Sequence, residues 1–231
     1  MFDDGSGPAL YAGGRFTSAG GVASTYNIAR WDGSNWTALG SGAGNSVFAL
    51  TVFDDGGGPV LYAGGRFSQA GGVPAYGIAK WDGSIWAPLG NWTSGPNSWV
   101  RSLAVFDDGS GPALHAGGSF TPPGFGAGIS AGKWDGSNWT TLGSGMSLGA
   151  WVYALTVFDD GSGPALFVGG RFTSAGNTAA TNFAEWSGSS WTAHGEGLNS
   201  AVFALAVFDD GGGPALHVGG AFTSVAGLTT N

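Results

Sequence analysis

One string recurs along this chain at a nearly constant distance. Phe-Asp-Asp-Gly begins at Phe2, Phe53, Phe106, Phe158 and Phe208. A proline follows each copy, at Pro8, Pro59, Pro112, Pro164 and Pro214, and then a double glycine that starts at Gly13, Gly64, Gly117, Gly169 and Gly219. Paired tryptophans complete the first four copies: Trp31 and Trp36, Trp81 and Trp86, Trp134 and Trp139, Trp186 and Trp191. A period of about fifty residues means that one supersecondary unit is written repeatedly and that neighbouring units must bury each other's faces. The units run at about 1–46, 47–98, 99–150, 151–200 and 201–231.

Each unit reads as four short strands. In the second, the run Val47 to Phe53 is a first strand, and the turn Asp54 to Gly58 leads through Pro59 into a second, VLYAGGRF. Runs of aromatic and β-branched residues bounded by Gly, Pro and Asp are strand and hairpin signals. A glycine-rich loop from Ser68 to Tyr76 connects to a third strand, GIAKW, and Asp82-Gly83 folds the chain back into a fourth around Trp86. Helical periodicity is absent because glycine recurs too often. The expected fold is all-β, a β-propeller of four-stranded antiparallel blades. One small sheet exposes two faces, and packing against neighbours on both sides buries them.

The order of an apolar strand, a strand ending in double glycine (LYAGG), a third ending in an aromatic and a turn (IARWDG), and a tryptophan in the fourth resembles the kelch repeat of galactose-oxidase-type propellers. The WDG-x-x-W and LYAGGRF strings also resemble blades of long bacterial surface repeat proteins. The resemblance covers the whole chain and speaks to architecture, since such blades serve enzymes, adaptors and surface proteins alike. The copper-oxidase activity of the related family does not carry over, because it requires a thioether-linked cysteine and this chain has none.

Counting strands leaves the ends unequal. The first unit lacks its first strand, and the fifth stops after its second, at about Phe222. About five units with incomplete first and last blades are expected, with a four-bladed ring as the alternative. Such a count fits a fragment of a longer array, or spare strands that pair with another copy.

Composition narrows the function. With 47 glycines and 10 prolines the chain approaches a low-complexity composition, but 42% hydrophobic residues supply enough apolar surface to offset chain entropy. The formal net charge of −8, from 15 acids against 7 Lys and Arg, argues against nucleic acid as a partner. No apolar run is long enough for a membrane span, and the N-terminus has no signal-peptide pattern. Secretion or a surface location is therefore an expectation from composition and resemblance alone.

Strand order places the Phe-Asp-Asp-Gly and Trp-Asp-Gly turns at one end of each unit. That end holds the paired Asp residues together with Asp32, Asp82 and Asp135, or 13 of the 15 acids, so a strongly negative face is expected. Calcium wants six to eight oxygens, which makes Asp54, Asp55, Asp107 and Asp108 weak candidates as ligands. The competing reading is that Asp caps tight turns. The other end carries the loops in which units depart from one another, including Thr121 to Phe125 and the insertions around Trp92, Trp99 and Trp151. Variable loops on a rigid scaffold are where binding sites are placed, so Trp92, Trp99, Arg101 and Trp151 are the candidate ligand-binding residues. Their alternative role is to plug gaps between blades.

Tyr11, Tyr62, His115, Phe167 and His217 share one repeat position, which reads as packing, and His194 stands where other units have Leu39, Leu89 and Leu142. Catalysis requires one asymmetric constellation, whereas nearly all acids here sit at repeat-equivalent turns. The chain is expected to be a non-enzymatic scaffold or adhesion protein, with a lectin-like module that stacks sugars on Trp as the alternative. Its expected partners are a protein or glycan at the variable loops.

Overall fold

The structure is a computed structural model, which describes residues 1–90, 98–120, 129–194, 198–225 and 228–229. It is all-β, with no helix among the described residues. The chain forms two compact units, Met1–Arg101 and Ser102–Asn231. In the first, β1 (Phe2–Asp3), β2 (Pro8–Gly13), β3 (Ile28–Trp31) and β4 (Trp36–Ala38) make one four-stranded antiparallel sheet. A second sheet takes β5 (Val47–Asp54) and β6 (Pro59–Gly65); the two-residue strands β7 (Gln69–Ala70) and β8 (Val73–Pro74) then form a small hairpin, and β9 (Ile78–Trp81) and β10 (Trp86–Pro88) complete the sheet.

The third sheet is β11 (Trp99–Asp107), β12 (Pro112–Ser119), β13 (Ala131–Trp134) and β14 (Trp139–Thr141). The fourth uses β15 (Trp151–Asp159) and β16 (Pro164–Arg171), then, beyond a small hairpin of β17 (Ser174–Ala175) and β18 (Thr178–Ala179), β19 (Phe183–Trp186) and β20 (Trp191–Ala193). The chain ends in a two-stranded sheet of β21 (Val202–Asp209) and β22 (Pro214–Gly220), followed by β23 (Ser224–Val225) and β24 (Leu228–Thr229). The glycine-rich loop from Ser68 to Tyr76 thus holds a hairpin, β7–β8, that no sequence signal announced.

The turn after each first strand is set by its first aspartate. Asp54 Oδ1 accepts hydrogen bonds from the Gly56 and Gly58 amides, at 2.8 and 2.9 Å. Asp3, Asp107, Asp159 and Asp209 do the same for the glycines two and four residues on. The glycines adopt positive φ, about 101° at both Gly56 and Gly58, where a side chain would be strained. The register then opens with Asp54 opposite Pro59.

The double glycine answers to packing. A methyl group on Gly169 would lie 2.5 Å from Val202 Cγ1, and one on Gly13 would lie 2.6 Å from Val47 Cγ1. The first glycine of the pair therefore makes room for the valine that opens the next unit's first strand. At the second, Gly170, an added methyl would collide with the carbonyl of Trp151 on the neighbouring strand, and Gly65 meets the carbonyl of Ser46 in the same way. That crowding coincides with a bulge: the register slips between Val47 and Ala49, Val152 and Ala154, and Val202 and Ala204.

Within each unit the sheets pack face to face. In the first, Ile28 and Leu39 cluster with Leu61, Ala63, Trp81 and Trp86. In the second, Phe106 and Leu142 cluster with Leu166, Val168, Trp186 and Trp191. The fourth-strand tryptophan fixes this packing with a directed bond: Trp86 Nε1 donates to Leu39 O at 2.9 Å, and Trp191 Nε1 donates to Leu142 O at 3.0 Å, all four residues buried. The Trp191→Phe variant keeps most of the ring but strands a buried carbonyl. Equilibrium denaturation is expected to show a loss of about 1–3 kcal/mol, and no loss would mean that the indole bond contributes nothing.

Candidate functional site

At the turn end, the second aspartate of the first three pairs faces a cation from the third strand. Lys80 Nζ bonds Asp55 Oδ2, and Tyr62 Oη donates to the same oxygen at 2.8 Å. Lys133 Nζ bonds Asp108 Oδ2 at 2.6 Å, and Arg30 lies 3.7 Å from Asp4. Burial opposes ionisation of Asp55, and the hydrogen bonds from Lys80 and Tyr62 outweigh it, so its carboxyl stays below the usual carboxylate range. Burial, then Asp55, raises Tyr62 well above the ordinary phenol value. These pairs temper the strongly negative face expected from residue counts.

Asp54 and Asp107, two of the weak calcium candidates, spend Oδ1 on turn amides, while Asp55 and Asp108 spend Oδ2 on lysine. Among the described residues no cluster of three or more His, Asp or Glu is arranged to hold a metal ion. Asp32, Asp82 and Asp135 cap the other turns, each accepting two amides at Oδ1.

The fourth sheet departs from this pattern. Glu185 stands where the others have Arg30, Lys80 and Lys133, and His194 Nε2 bonds its carboxylate. The His194 ring lies 5.3 Å from that of Phe167 and 5.8 Å from that of Phe183. At the repeat position read as packing, Tyr62, His115 and Phe167 are buried, Tyr11 is half-buried and His217 is exposed. His115 Nδ1 lies 3.2 Å from Ala113 O, and its Nε2 has no hydrogen-bond partner among the described residues. Burial pushes His115 down to about 4.

At the loop end, Trp99 and Trp151 prove repeat-equivalent rather than inserted. A step of seven residues back from Phe53, Phe106, Phe158 and Phe208 reaches Ser46, Trp99, Trp151 and Ala201. Two residues further on stand Phe48, Arg101, Tyr153 and Phe203, and the bulges at Phe48, Tyr153 and Phe203 re-aim those side chains. In the first unit, the Arg66 guanidinium lies 4.4 Å from the Trp99 ring centre, while Arg101 lies 5.1 Å from that of Phe48 and 5.4 Å from that of Trp99. Trp99 and Arg101 are thus brought together in a cation–π cluster, with Arg66 and Phe48 as members that residue type alone did not single out.

Trp151 belongs to the second unit, where its ring lies 6.2 Å from Tyr153, which in turn lies 5.4 Å from Phe203. Beside it opens a groove of about 490 Å³, lined by Ser147, Trp151, Arg171, Asn182, Asn199 and Ala201 among others. Its volume is that of a small-ligand site. The remaining candidate, Trp92, and the segment Thr121 to Phe125 lie outside the described residues. Comparison with family models, with curated proteins and with solved structures finds no match for this chain.

His115 carries a pH prediction. Its folded-state value is depressed from 6.5, so the stability tied to its neutral form is full above that value and is lost as pH falls toward 4. Across that window the loss is about 3 kcal/mol. In His115→Phe, which copies Phe167, urea midpoints at pH 7 and pH 4.5 should lie closer together than in the parent; equal acid sensitivity in both would contradict this assignment.

Proposed function

We propose that the repeated sheets are blades of a kelch-like β-propeller and that the chain is a non-enzymatic extracellular scaffold whose variable loops engage a partner. One observation carries the reading. The polar groups that recur from unit to unit are committed to the fold, the first Asp of all five turns to glycine amides and the second to a cation in three units. What varies lies at the loop end, where aromatic and arginine side chains gather at the starts of the first strands. A blade count of about five, with a four-bladed ring as the alternative, belongs to the same proposal.

Self-association is part of this reading. Among the described residues β22 pairs only with β21, and Phe203 and Phe208 on β21 are 55% and 60% exposed. An unpaired strand edge beside exposed aromatics is a template for another chain.

A lectin-like role is the second reading, favoured by the groove beside Trp151, since an indole face at the rim of an open groove can stack a sugar ring. A glycan array probed with the whole chain separates the two. The scaffold reading expects no carbohydrate to be retained. Retention that is lost in Trp151→Ala would replace it with the lectin reading.

A further inference from the structure

The contact between Arg66 and Trp99 is an internal template for what the groove in the second unit lacks. Arg66 ends one second strand, and its guanidinium covers the tryptophan that opens the next unit's first strand. Seven residues after the proline of each unit, the same position is held by Arg15, Arg66, Ser119, Arg171 and Ala221. Arg171 is therefore the counterpart of Arg66, and Ala201 the counterpart of Trp99. Both line the 490 Å³ groove. The cavity opens where a tryptophan has been replaced by alanine beneath an arginine that has been kept.

The rest of the lining defines the seat. Asn182 is committed, its Nδ2 donating to Leu198 O at 2.7 Å and its Oδ1 accepting from Phe172 N. Asn199 is likewise committed, to Thr223 and Ser224. Ser147 Oγ accepts from Thr173 N at 3.0 Å. The exposed Arg171 guanidinium makes no hydrogen bond, ion pair or ring contact among the described residues, and Ala150, Phe172 and Ala201 supply apolar wall around it. The counterpart position in the first unit shows what such a guanidinium can hold, a ring whose π face lies against it.

We propose that this groove binds an aromatic side chain, indole or phenol, from an extended polypeptide partner, seated against Arg171 as Trp99 is seated against Arg66. A peptide is the occupant because the template ring is delivered by the first residue of an extended strand, Trp99 of β11. The proposal rests on the scaffold reading and gives its loop end a ligand class.

The test uses the whole chain and N-acetyl-tryptophanamide as probe, followed by the ¹⁵N shift of Arg171 Nε. Saturable movement of that resonance is expected, and binding of the same probe followed by titration calorimetry should weaken about fivefold in Arg171→Gln. It is expected to vanish in Ala201→Trp, in which the chain fills its own seat, and that variant should melt at a higher temperature than the parent. Arg171 is exposed, so Arg171→Gln leaves the core untouched and keeps the test valid if Ala201→Trp folds poorly. N-acetyl-cyclohexylalaninamide and N-acetyl-aspartamide should move the resonance far less. Binding of the cyclohexyl or aspartyl probe as tightly as the indole, or no binding of the indole, overturns the proposal while leaving the scaffold reading in place. Binding of a methyl glycoside in preference to the indole overturns both.

Discussion

A four-stranded sheet of this size has two faces and cannot cover either by itself, so the fold of each compact unit depends on how one sheet meets the next within it. The most directed element of that meeting is the indole N–H that Trp86 and Trp191 send into the preceding sheet, to Leu39 O and Leu142 O. Around each bond the same parts recur: a leucine on the second strand, a valine at the start of the first, and a glycine opposite that valine with no room for a methyl group. Where the neighbour is missing, the same residues are exposed. Leu10 is 51% exposed, whereas its counterparts Leu61 and Leu166 are 2% or less, and Trp31 and Trp36 are only partly covered. Position in the repeat specifies the side chain, and the neighbouring sheet decides whether it is buried.

The two ends of each sheet use their polar groups in opposite ways. At the turn end, carboxylates are consumed locally by glycine amides and across the sheet by Arg30, Lys80 and Lys133, so acidity there is largely structural. The packing slot beside these pairs tolerates Tyr62, His115 and Phe167 because its requirement is a flat ring. Tyr62 also reaches Asp55, whereas His115 leaves a nitrogen orphaned and makes that unit sensitive to acid. At the loop end the repeat constrains less, and Ser46, Trp99, Trp151 and Ala201 all occupy one position.

Much of this was legible in the sequence because it depends on short-range chemistry. Asp-x-Gly-x-Gly announces a capped turn, Pro59 announces a strand start, and paired tryptophans five apart across Asp-Gly announce a hairpin. What could not be read off depends on a neighbouring unit. The β7–β8 and β17–β18 hairpins are two residues per strand, too short for an alternating pattern, and Ala70 and Ala175 also bridge to Ala43 and Met146 of the preceding loop. The equivalence of Trp99 and Trp151 was hidden because the same position holds Ser46 and Ala201 in other units, so residue type does not mark it as a repeat position. His194, at the leucine position of the other units, is held by Glu185, a pairing that appears only when the two strands lie side by side. The groove at Arg171 is visible only by comparison with the filled position at Trp99.

The central claim is that the second sheet is locked to the first, and the fourth to the third, through the indole of its fourth strand. Hydrogen exchange of the indole N–H groups by NMR reads that claim residue by residue. Trp86 and Trp191 are expected to exchange slowly, while Trp36, which has no acceptor among the described residues, should exchange fast. Equal and rapid exchange at all three would contradict the account, because the seam would then be open to water and the repeat would lack the contact on which its packing is built.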